Sequence, residues 1–150
     1  MPEVRAQSVV NNGLPLTPGW HRLVLTASAV HSGIWGAFIL TMPATAARVY
    51  GFDQTPTDLH LWLGTGLFIC LLGFGYWLAA KNPVQHWGLV LIGLLAKVLG
   101  AIGMSYSALS GQISLNVLWL LPINDVIWWI PFAVIVRHAY GQTTQTNAAS

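Results

Sequence analysis

Residues 87–108, WGLVLIGLLAKVLGAIGMSYSA, hold a single charge, Lys97, in an otherwise apolar run. At about 1.5 Å rise per residue, such a run is long enough for an α-helix to cross the roughly 30 Å of hydrocarbon in a bilayer. Working outward, three stretches of similar length and character flank it, at residues 21–42, 59–80 and 115–137. Helix-breaking residues mark their ends: Thr17-Pro18-Gly19 before the first, Pro43 after it, Asn82-Pro83 after the second and Ser110-Gly111 after the third. The composition points the same way, with 55% hydrophobic and 7% charged residues. A soluble globular domain carries roughly 25% charged residues, and water could not solvate a surface this poor in charge. The reading is an all-α, integral membrane four-helix bundle with antiparallel, up-down-up-down order. The membrane domain covers 21–138, after a polar segment at 1–20 and before a polar tail at 139–150, expected to be disordered.

Trp and Tyr prefer the headgroup level on either side of a membrane. Trp20, Trp77, Trp87 and Tyr140 fall at one end of the helices, and Tyr50, Trp62, Tyr106 and Trp119 fall at the other. Arg5, Arg22, Lys81 and Arg137 gather at the first end, against Arg48 alone at the second, and the richer side should be cytoplasmic. Both termini are therefore expected in the cytoplasm. The loop at 44–58 faces away from it and is the only one long enough for a short extra element. No short apolar core followed by a small-residue cleavage site opens the chain, so a cleaved signal peptide is not expected. The expected location is a bacterial cytoplasmic (inner) membrane.

The midpoints of the first, third and fourth stretches fall near His31, Lys97 and Asp125. A lone charge at the centre of a membrane helix costs on the order of 2.5–3.5 kcal/mol, so such residues face the bundle and find partners. Lys97 and Asp125 lie on neighbouring helices and should pair. Gly93, Gly100 and Ala101 share the Lys97 face and permit close packing, while Leu121 and Trp129 flank Asp125 at four-residue spacing. Pro122 removes a backbone donor and should free carbonyls near Leu118 and Trp119, one turn from Asn124-Asp125. The candidate binding residues are Lys97, Asp125, Asn124, His31, Trp128 and Trp129. In this scheme His31 accepts from Lys97 or donates to Asp125, and the adjacent indoles wall a ligand or cover Lys97 as a cation–π partner. The bland alternative is a pair that only fixes which helices meet.

Six basic residues scattered singly make no nucleic-acid patch. His21, His86 and His138 fall at one depth, but none has a histidine four residues away, so no metal is assigned; no cofactor is predicted, with quinone or haem as the remote options. The single cysteine, Cys70, sits between Gly66 and Gly73 in an apolar, closely packed setting and is read as a packing residue.

Residues 85–103, QHWGLVLIGLLAKVLGAIG, and 124–136, NDVIWWIPFAVIV, with the shorter GIWGAF at 33–38, resemble a group of small bacterial four-helix membrane proteins. Members of that group often carry the name alkyl hydroperoxide reductase. The resemblance covers about residues 20–137 and implies the four-helix fold and the importance of the polar seam. A thiol peroxidase needs an activated cysteine and usually a second thiol, and this chain has one cysteine in a setting that does not stabilise a thiolate. At the level of fold the chain also resembles DoxX-type four-helix proteins, some of which associate with quinone oxidation.

Together these residues favour a membrane component that binds a hydrophobic small molecule or a partner helix at a buried polar site. A membrane oxidoreductase or redox-complex subunit is the first alternative and a proton-coupled transporter the second. Partners are the lipid bilayer and either a membrane protein or a second copy of the chain.

Overall fold

The computed structural model describes residues 18–148, with side chains as far as residue 144. The polar N-terminal segment, including Arg5, lies outside the described residues. All regular structure among them is helical: α1 (Gly19–Thr41), α2 (Pro43–Val49), α3 (Leu59–Lys81), α4 (Trp87–Leu109), a 3₁₀ turn (Leu115–Trp119), a π turn (Pro122–Val126) and α5 (Ile127–Ala148). Four stretches are long and apolar enough to cross a membrane, namely Gly19–Thr41, Leu59–Lys81, Trp87–Leu109 and Leu115–Thr144. The first three begin and end within two residues of the sequence expectation. That agreement has a simple cause, since flanking Pro, Gly and Asn leave little choice about where a helix stops.

The fourth stretch departs from the expectation of one continuous helix. Pro122 brings no N–H, and the chain passes it in a wide turn, with the Ile127 N–H donating to the Pro122 carbonyl five residues back. Ahead of it the 3₁₀ turn is capped by the Ser114 hydroxyl, which accepts from the Asn116 N–H at 3.3 Å. Pro131, by contrast, sits inside α5 without ending it. α5 also continues to Ala148, where a disordered tail is expected from the polar composition. Two of its threonines bond back to the helix: Thr143 Oγ1 donates to the Ala139 carbonyl at 3.0 Å and Thr144 Oγ1 to the Gly141 carbonyl at 2.9 Å.

α1 and α3 pack along most of their length. Gly36, Gly66 and Gly73 make that approach possible, because a methyl on Gly66 would meet Ile39 at 2.9 Å and one on Gly73 would meet the Ala29 carbonyl at 3.0 Å. Cys70 packs at the same seam, against Gly36. α4 packs chiefly on α5 and on the two irregular turns, and meets α3 less extensively.

Two apolar clusters form the core. One joins Leu25, Tyr76, Ala79, Ala80, Val90, Phe132 and Ile135, and the other joins Ile39, Ala46, Ala47, Tyr50 and Trp62. Tyr50 and Trp62 are each 8% exposed and belong to the core, whereas Trp119 is 83% exposed. The reason is α2, which folds the chain back so that the Trp62 Nε1–H donates to the Pro43 carbonyl at 3.0 Å. Gly51, at φ +82°, then turns the chain, and its carbonyl accepts from the Ser114 N–H at 2.8 Å. This bond ties the α2–α3 connection to the α4–α5 connection.

Candidate functional site

Along α4, Lys97 lies between Val90, which belongs to the first apolar cluster, and Met104, which packs on the second. Lys97 Nζ lies 3.2 Å from Asp125 Oδ1 and donates to the Asn124 carbonyl at 2.7 Å. The Asn124 side-chain Nδ2 donates to the other Asp125 oxygen at 3.0 Å. The expected pair is therefore present, and both residues are buried, 8% and 7% exposed. Two adjacent charges in a low-dielectric setting hold each other and need hydrogen bonds to their remaining positions, which the Asn124 carbonyl and amide supply. Pro122 does mark the place where backbone enters the site, but the carbonyl used is that of Asn124, inside the π turn, and not those of Leu118 or Trp119.

The pair forms part of the wall of a cavity of about 450 Å³ between α3 and α4. From α1 come Ser32 and Trp35, and from the α2–α3 connection Tyr50 and Phe52. α3 contributes Trp62, Thr65, Phe68, Ile69 and Leu72, while α4 contributes Ala96, Lys97, Leu99, Gly100, Gly103 and Met104. Asn124 and Asp125 complete it. Phe68 and Leu99, more than half exposed, form its rim on the outer surface of the bundle. Gly100, expected to pack closely against the facing helix, is open, and a methyl there would meet nothing within 4 Å. The close glycine contact on α4 is instead Gly93, which lies against the Tyr76 ring.

His31 lies one residue behind this wall. Its Nε2 accepts from the Trp35 Nε1–H at 2.9 Å, and its ring packs on Trp128 at 5.5 Å between centroids. It hydrogen-bonds neither Lys97 nor Asp125: Trp35, one helical turn on, takes Nε2, and Nδ1 is buried without a partner among the described residues. Trp128 and Trp129 also miss the cavity: Trp128 packs on His31 and Phe132, and neither indole covers Lys97. Between them and the chain before Pro122 lies the π turn, Pro122–Val126, which departs from regular α-helical spacing. The cation–π contact that does occur is Lys81 over Trp77, at 3.6 Å.

Tyr50, Trp35, Phe52 and Trp62 supply the aromatic walls, and sequence reading assigned none of them to the site. Trp35 contacts Tyr50 edge-on at 5.8 Å, Tyr50 contacts Trp62 at 5.5 Å, and Phe52 contacts Trp62 at 5.6 Å. The Tyr50 hydroxyl has no hydrogen-bond partner among the described residues. Burial, reinforced by the Asp125 carboxylate, pushes it above its ordinary pKa, so near neutral pH it stays a donor. At the opposite end of α1, the His21 and His138 rings meet edge-on at 5.1 Å, without His86, and no group of three metal-ligating side chains occurs among the described residues. Cys70 is not part of the cavity. The chain matches no protein-family model, no curated protein and no solved structure.

Proposed function

We propose that this chain is a multi-pass protein of a bacterial inner membrane that binds a hydrophobic small molecule, admitted sideways from the lipid through the opening between α3 and α4. One observation carries the reading: a buried ion pair lies in the wall of a mainly apolar cavity whose rim is on the outer surface of the bundle. A pair serving registry alone would be best sealed by packed side chains, because access to water raises the local dielectric and weakens the attraction that holds it. A small molecule suits this space better than a partner helix, which requires a long groove and not a cavity of about 450 Å³. The likeness at residues 85–103 and 124–136 supports placing the chain among the small four-helix bacterial membrane proteins named above. The helices are taken to run antiparallel, in keeping with Arg22 near the start of α1 donating to the Lys81 carbonyl at the end of α3 at 2.9 Å.

The binding reading is tested by filling the cavity. Gly100→Phe places a ring where nothing opposes it, so the fold should be retained while the pocket is lost. Mass spectrometry of organic extracts should find a small molecule that co-purifies with the native protein and falls about tenfold or more in the variant, at unchanged unfolding midpoint. Equal recovery from both proteins would remove the cavity from consideration.

Orientation follows the distribution of Arg22, Lys81 and Arg137 against Arg48. Alkaline phosphatase fused after Arg137 should be inactive and fused within residues 44–58 active. The reverse pattern would invert the topology.

A further inference from the structure

We infer that the cavity takes a neutral, flat, ring-bearing lipophile whose ring carries a carbonyl-type oxygen, held between the Tyr50 hydroxyl and Lys97. This rests on the binding role proposed above and specifies its ligand. Charge comes first. Lys97 and Asp125 are the only charged residues in the wall and they neutralise each other at 3.2 Å, so a charged ligand would bring an uncompensated charge into a low-dielectric site. Hydrogen bonding comes second. An ammonium has three N–H donors. Asp125 and the Asn124 carbonyl engage two of them, which leaves the third for an acceptor in the cavity that Lys97 lines. Tyr50, also in that wall and 8% exposed, has a hydroxyl with no partner among the described residues. A buried donor without an acceptor is costly, and a single ligand oxygen offers lone pairs to both groups. The site thus asks for an acceptor more than for a donor.

Shape comes third. Trp35, Tyr50, Trp62 and Phe52 form a continuous series of edge-on contacts, and such walls present flat faces and ring edges that a planar ring matches and a bare acyl chain does not. The small residues Gly100 and Gly103 make room on the opposite side, and the rim at Phe68 and Leu99 lets an apolar tail leave toward the outer surface.

The test uses two nearly isosteric probes, 2-acetylnaphthalene and 2-isopropylnaphthalene, with 1-decanol as a chain-like control. Each is titrated calorimetrically into the purified full-length protein in maltoside micelles, and heats into empty micelles are subtracted. The ketone should bind saturably and about tenfold more tightly than the hydrocarbon. Tyr50→Phe should weaken the ketone about three- to tenfold and leave the hydrocarbon unchanged, while Gly100→Phe should abolish both. Equal affinity for ketone and hydrocarbon, or equal losses of both in Tyr50→Phe, would overturn oxygen recognition. Decanol binding that is lost in Gly100→Phe, without binding of either ring, would overturn the ring class and leave the cavity reading standing. Binding of all three probes that is unaffected by Gly100→Phe would overturn both.

Discussion

Asp125→Leu should destabilise the folded protein by about 3 kcal/mol or more, the largest effect of any single substitution considered. The change leaves the Lys97 ammonium buried at 8% exposure with only the Asn124 carbonyl to hold it, and it strips the Asn124 amide of its acceptor. Lys97→Met should cost a similar amount for the reciprocal reason. The double variant should be more stable than either single one, since it removes both charges and leaves an apolar seam. Recovery will be incomplete, because the Asn124 carbonyl and amide both lose partners. Unfolding midpoints in mixed micelles titrated with dodecyl sulfate give the cycle directly. Strictly additive losses would show that the two residues do not interact. The cycle also separates registry from function: if the double variant keeps both its stability and its co-purifying small molecule, the pair only aligns helices. Recovered stability with a lost ligand places function at the pair.

Gly36→Ala should be the next most damaging change, at about 1–3 kcal/mol, although it adds a single methyl group. That methyl would sit 2.7 Å from the Gly66 carbonyl oxygen and 2.9 Å from the Cys70 backbone nitrogen, and it would overlap the Cys70 sulfur. Backbone atoms cannot rotate aside as a flexible side chain can, so α1 and α3 must separate along the seam where they pack most closely. Gly33→Ala is the internal control, because a methyl there meets nothing within 4 Å. Alanine has the higher helix propensity, so this variant should be neutral or slightly stabilising. Similar losses in the two variants, measured by the same detergent titration, would refute close α1–α3 packing as the cause.

Pairing of Lys97 with Asp125 was readable without coordinates because two facts sufficed: each residue falls near the middle of an apolar stretch, and neither charge is tolerable there alone. Asn124 belonged to the same reading by adjacency. The surrounding residues were not readable in that way. Gly36 and Gly100 are the same residue type in similar apolar contexts, yet one is jammed against backbone and the other faces open space. Trp128 and Trp129 adjoin Asp125 in the chain but miss the cavity, while Tyr50, 75 positions before Asp125, lines it.

By itself the sequence determined four apolar stretches, the ends of the first three and the place of each polar residue along them. These are one-dimensional properties, set by how many apolar residues separate one break from the next. The tertiary structure alone decided which side chains meet. Rotation of each helix about its axis depends on the shapes of its neighbours: Gly36, Gly66 and Gly73 draw α1 onto α3, and the π turn at Pro122 re-aims the residues that follow Asp125. α3 and α4 meet less extensively and leave the cavity between them. α2 folds the chain back so that Tyr50 and Trp62 face the core, an orientation that their place in the sequence does not reveal. The same separation holds for the last helix, where polar residues 141–148 lack the hydrophobic period of a helix but extend one already nucleated by α5, since adding a turn costs far less than starting one.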